Sequence, residues 1–128
     1  MLLISSACQE RVASEEVDFE ALKIDACERA CGTIDSCAPG KFDGMEPDDC
    51  FERCMTLLPR LHEENQCGSH DIIWLRCLGD LDCEGYAAFG EGNDRPYPPD
   101  YTAPCVVELQ ALCSTDEPFD LDHVPSVP

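Results

Sequence analysis

Positive charge is scarce in this sequence. Eight Lys and Arg stand against 27 Asp and Glu in 128 residues, a formal net charge of −19. The eight are scattered, which excludes a basic surface for nucleic-acid phosphates and disfavours electrostatic docking on anionic lipid. A solvated acidic surface is the simplest reading. Long apolar runs are missing as well: no stretch approaches the roughly 18 residues of a membrane-spanning helix. There is no Gly-x-Ser-x-Gly, no phosphate-binding glycine loop and no His-Glu-x-x-His. Tryptophan is limited to Trp74, which lies among Ile72, Ile73, Cys77 and Leu78 and reads as core.

Cysteine is what the chain does have. Eleven in a chain of single-domain length mark a disulfide scaffold. Such cross-linking is expected outside the reducing cytosol. The competing use of these thiols, a four-cysteine zinc site, would leave most of the set without a role.

Two near-copies dominate the pattern, Cys27-Glu28-Arg29-Ala30-Cys31 and Cys50-Phe51-Glu52-Arg53-Cys54. On a helix, positions i and i+4 share a face about 6 Å apart along the axis. Two antiparallel helices would therefore be joined twice, Cys27–Cys54 and Cys31–Cys50, with Ile24 facing Leu57 on the same register. The parallel pairing, Cys27–Cys50 with Cys31–Cys54, needs both helices to run the same way across a short connection. Residues 27–54 resemble the twin Cys-x3-Cys helical hairpins of small mitochondrial intermembrane-space chaperones. The resemblance implies the hairpin; a redox or chaperone-like role stands as an alternative.

The other cysteines suggest a second antiparallel match. If Cys105 and Cys113 share a face of one last helix, Cys83–Cys105 and Cys77–Cys113 follow, which leaves Cys37–Cys67. Each bridge is worth roughly 2–4 kcal/mol, enough to offset a modest core.

Taken in order, residues 1–8 read Met-Leu-Leu-Ile-Ser-Ser-Ala-Cys, an apolar run, small residues and a cysteine. This resembles the tail of a bacterial lipoprotein signal peptide, which implies lipidation of Cys8. Parity agrees, because removing Cys8 leaves an even set. Residues 9–16 are a polar tether, and 17–114 form the stapled domain. A first helix starts near Ser14 and runs past Ile34. A second opens with Pro47 at its first position and Asp48 and Asp49 behind it. Ser69 caps a third, and Asp82 a short turn through Phe89. Gly90 to Ala103 is irregular, and its Tyr97 and Tyr101 make it a candidate contact loop. Thr102 and Pro104 start a last helix through Cys113. Residues 115–128 are acidic, contain proline and are expected to be disordered.

Two further motifs compete as functional sites. Asp80, Asp82, Glu84 and Glu91, with Gly85 at the sixth position, match the oxygen spacing of an EF-hand calcium loop. Cys67-Gly68-Ser69-His70-Asp71 resembles the His-Asp pair of secreted phospholipases A2, in which the histidine activates water and the acid binds calcium. His62 and His123 lie in polar contexts and read as solvated.

The expectation is thus an all-α, small disulfide-rich bundle of about five short helices built on the twin hairpin. In texture it resembles the cysteine-rich helical lipoproteins of delta-proteobacteria, most of which have no assigned activity. That implies an extracytoplasmic protein of the bacterial cell envelope, an outer-membrane lipoprotein or a secreted protein. It would be non-catalytic and without cofactor, binding a protein partner or envelope component and touching the membrane through its lipid alone. A calcium-dependent module or phospholipase-like enzyme is the alternative of a different class.

Overall fold

The computed structural model describes residues 18–93 and 104–122. Five α-helices occur among them: α1 Phe19–Cys37, α2 Cys50–Leu57, α3 Gln66–Gly79, α4 Cys83–Asn93 and α5 Val106–Gln110. A 3₁₀ turn, Pro59–His62, joins α2 to α3. No strand occurs among the described residues, whose one isolated bridge pairs Asn65 with Pro118. None of the helices is long and apolar enough to cross a membrane.

Side-chain caps set the helix starts, each one satisfying an N–H that the helix cannot. Asp18 Oδ1 accepts from Ala21 N at 3.1 Å, so α1 begins at Phe19; Ser14 lies outside the described residues. Asp49 accepts from Glu52 N at 2.9 Å, which places Pro47 ahead of the cap rather than in the first turn. Asn65 Oδ1 accepts from Cys67 N and Gly68 N, so α3 opens three residues before Ser69, the expected cap. Asp82 does cap α4, accepting from Gly85 N at 2.8 Å, and that helix runs beyond Phe89 to Asn93.

The core lies where α1 crosses α3. Ala26 and Ala30 are sealed on α1, and small side chains there let the helices approach closely. Gly79 completes the approach: a Cβ on it would meet Arg29 Cβ at 2.6 Å. Ile72, Leu75 and Leu78 of α3 fill the interior with Leu61, and Val106 of α5 and Phe89 of α4 close it. Leu57 is 50% exposed and neither it nor Ile24 belongs to this core, so the expected Ile24–Leu57 contact adds nothing buried.

Five bridges hold the bundle. Cys27–Cys54 and Cys31–Cys50 join α1 to α2 with Cα atoms 5.8 and 5.7 Å apart, on the antiparallel register that the twin motif implies. The remaining three are Cys37–Cys83, Cys67–Cys113 and Cys77–Cys105. They replace the expected Cys37–Cys67, Cys83–Cys105 and Cys77–Cys113. The last helix explains the difference, for α5 has only five residues. Cys105 precedes it in the left-handed region, at φ 65°, and Cys113 follows it in extended chain, so the two do not share a helical face. The segment still runs antiparallel to α3, with Cys105 at the C-terminal end of that helix and Cys113 at its start. Cys83 opens α4 instead and closes onto Cys37 at the end of α1.

The chain beyond residue 114 also departs from expectation. As far as Asp122 it packs on the start of α1 and α3. Gln66 N donates to Glu117 O at 3.1 Å and Asp120 N to Ser69 Oγ at 2.8 Å. Phe119 meets the Phe19 ring edge-on, with centroids 5.2 Å apart. Apolar anchors at Phe119 and Leu121 outweigh the acidic composition that argued for disorder.

Candidate functional site

An apolar groove opens between the hairpin and α3. After α1 the chain takes three consecutive turns, with Lys41 N donating to Ala38 O, Asp43 N to Gly40 O and Met45 N to Phe42 O. Gly40 and Gly44 supply the positive φ values of 77° and 82° that this winding needs. The loop is thereby held with Phe42 against the core. Arg53 of α2 fixes it from the other side: its Nη1 donates to Pro47 O at 2.9 Å, and its guanidinium lies 5.0 Å from the Phe42 ring centre.

The result is a cavity of about 210 Å³. Ala30, Cys31 and Ile34 of α1 form one wall, Cys50, Cys54, Leu57 and Leu58 a second, and Trp74, Leu75 and Leu78 of α3 the floor, with Phe42 and Arg53 at its edge. A neighbouring hollow of about 540 Å³ shares Ile34, Trp74 and Leu78 and continues to Lys41, Tyr86, Phe89 and Leu109. Trp74 stacks on Phe89 at 6.4 Å and 14°. It packs against the core as expected, yet it is only partly buried and lines both hollows.

The second cluster is polar and closed. His70 and Asp71 are 2% and 1% exposed. Arg60 Nη2 meets Asp71 Oδ1 at 2.9 Å, and Trp74 Nε1 donates to the same oxygen at 3.2 Å. Arg60 Nη1 reaches Cys113 Sγ at 3.5 Å, tying the cluster to the Cys67–Cys113 bridge. His70 Nε2 lies 3.3 Å from Leu109 O, and a carbonyl can only accept, so the proton sits on Nε2. Asp71 Oδ2 and His70 Nδ1 are buried without a partner among the described residues. Burial first, and then the Arg60 charge, hold the His70 pKa below its usual value. Burial pushes Asp71 up, against the pull of Arg60 and the Trp74 hydrogen bond. This cluster braces the fold; it is not a surface that a phospholipid could reach.

The calcium reading fails on backbone shape. Asp80 ends α3, Asp82 caps α4, and Glu84 and Glu91 stand on α4 itself rather than in a loop. Cys83, in the middle of the motif, is bridged to Cys37. No group of three or more potential ligands gathers among the described residues. His62 is exposed and accepts a 3.4 Å contact from Lys23 Nζ. Cys8, Tyr97, Tyr101 and His123 lie outside the described residues.

Sequence reasoning missed the groove because its parts come from three distant segments. Lys41 and Phe42 lie between Gly40 and Gly44, where sequence alone suggests a turn, and Arg53 belongs to the repeated Glu-Arg of the twin motif. The one signal available was an aromatic next to a cation in a loop bracketed by bridged cysteines.

These features define a small, disulfide-stapled, all-helical domain with an apolar groove, and five bridges belong to an oxidising, extracytoplasmic environment. Comparison with protein-family models, curated protein sequences and solved structures finds no significant match.

Proposed function

We propose that the chain is a non-catalytic binding module of the bacterial cell envelope, tethered through a lipid on Cys8, which holds an apolar envelope component in the groove. The observation that carries the reading is the groove itself. Interiors of this kind are normally packed to crystal density, and ligand sites are apolar hollows with a few placed polar groups. Here two bridges, Cys27–Cys54 and Cys31–Cys50, tie α1 to α2 and fix those two walls of the groove relative to each other.

The absence of catalysis is supported by two observations. Ten of the eleven cysteines are committed to bridges and cannot serve as nucleophiles. The His70–Asp71 pair is sealed inside. The tether is supported by the same pairing, since Cys8 is the single cysteine that the framework does not use.

The test is direct. The neutral dye N-phenyl-1-naphthylamine, titrated into the oxidised protein, should brighten saturably at one site and take energy from Trp74. Dye emission no different from that with a groove-free helical control protein would remove the binding role. Cys8→Ser should release the protein from the membrane fraction of a bacterial host; a variant that stays membrane-bound would remove the tether.

A further inference from the structure

We infer that the groove takes a single-chain aliphatic carboxylate, a fatty acid, with its chain along Ile34, Trp74 and Leu78 and its carboxylate held between Arg53 and Lys41. The inference rests on the binding role proposed above and names its ligand.

Charge placement is the argument. The chain carries 27 acids, yet among the described residues none lines either hollow, while each hollow has one described cation at its edge, Arg53 in the first and Lys41 in the second. The other basic side chains divide differently. Lys23, Arg29 and Arg60 each sit within 3.2 Å of a carboxylate, from Glu20, Asp25 and Asp71, and Arg76, which has no such partner among the described residues, lines neither hollow. Arg53 and Lys41 have no such partner among the described residues. Both instead flank one ring, Phe42, at 5.0 and 5.9 Å from its centre. Two cations left unneutralised beside an apolar hollow, in a protein this acidic, are matched to an anion that brings its own apolar body.

Two features narrow the anion. The net field of a −19 protein repels multiply charged ligands from afar, so a monoanion is favoured over a phosphate or a dicarboxylate. The two hollows share the side chains Ile34, Trp74 and Leu78, and a flexible chain can follow an apolar surface divided in this way better than a rigid ring system can.

Trp74 is the sole tryptophan and lines both hollows, so its emission reports on occupancy. Dodecanoate, dodecanol and dodecyltrimethylammonium, each below its micelle concentration, are titrated into the oxidised full chain. Dodecanoate is expected to bind at one site and at least tenfold more tightly than the cationic analogue. Lys41→Gln combined with Arg53→Gln should weaken dodecanoate about tenfold more than it weakens dodecanol, as loss of a partly exposed pair of charge contacts implies. Arg53 also holds the Pro47 carbonyl, so Lys41→Gln alone, at an exposed position, serves as the second variant and should weaken dodecanoate about threefold. Equal binding of all three amphiphiles, or variants that bind dodecanoate as well as the parent does, would overturn the carboxylate assignment while the neutral dye still reports a groove. If dye and amphiphiles alike fail to bind, the binding role falls with it.

Discussion

At the scale of single residues, the most consequential contact is Arg60 with Asp71. Asp71 is buried and Arg60 only partly so, which makes the aspartate the side that suffers if the pair is broken. Arg60→Met should therefore cost about 3 kcal/mol in urea unfolding, the range for stranding a buried charge. Asp71→Asn in the same background should recover most of that loss, because the amide oxygen still accepts from Trp74 Nε1 and no charge is left inside. His70 makes a separate pH prediction. Its folded pKa is lowered, so below the unfolded value of about 6.5 the unfolded chain takes up the proton first. Its contribution to stability is then present above pH 6.5 and declines as pH falls towards the folded pKa. Asp71 works the other way: its folded pKa is raised, so it adds stability as pH falls through that pKa towards the ordinary aspartate value. An Asp71→Asn background removes the opposing Asp71 contribution and leaves that of His70 in place. Adding His70→Gln should flatten the dependence of melting temperature on pH there; an unchanged slope would refute the assignment.

At the scale of elements, the contact between α1 and α3 sets the geometry from which the groove is cut. It depends on Ala26, Ala30 and Gly79 being small. Gly79→Ala would put a methyl against Arg29 Cβ at 2.6 Å and against Arg29 backbone atoms at 2.9 and 3.0 Å. Overpacking of that kind should destabilise by about 1–3 kcal/mol, measured by thermal or urea unfolding. Full retention of stability would mean that the helices sit farther apart. Elements also explain what the sequence made legible. Cys27, Cys31, Cys50 and Cys54 could be paired from spacing because i and i+4 are rigidly related on a helix. The remaining bridges depended on where helices stop, and that is decided by local events: the left-handed turn at Cys105, the short run of α5, and the Asp82 cap that starts α4 at Cys83. The tail is likewise decided by contacts that composition does not show. Its composition is that of a disordered segment, but Phe119 finds Phe19 and its backbone finds unpaired groups at the start of α3. Arg53 meets Lys41 and Phe42 only once the hairpin closes, so the adjacent aromatic and cation do not by themselves place the groove.

At the scale of the whole molecule, a short chain of net charge −19 folds against its own repulsion. Covalent closure compensates by shrinking the unfolded ensemble, and the bridges differ in how much they close. Cys37–Cys83 and Cys67–Cys113 each span 46 residues, Cys31–Cys50 only 19. In the chain-entropy account these are worth about 4 and about 3 kcal/mol respectively. Replacing Cys37 and Cys83 together by serine should thus cost more than replacing Cys31 and Cys50, when both are compared by urea unfolding of otherwise oxidised protein. Small domains have only about 5–15 kcal/mol of net stability, so loss of all five bridges exceeds what this core can supply. The fully reduced chain should show no cooperative thermal transition at low ionic strength. Salt, by screening the acidic surface, should raise the melting temperature of the oxidised form without restoring a transition to the reduced one. A reduced chain that still melts cooperatively would mean that packing between α1 and α3, not covalent closure, carries the fold.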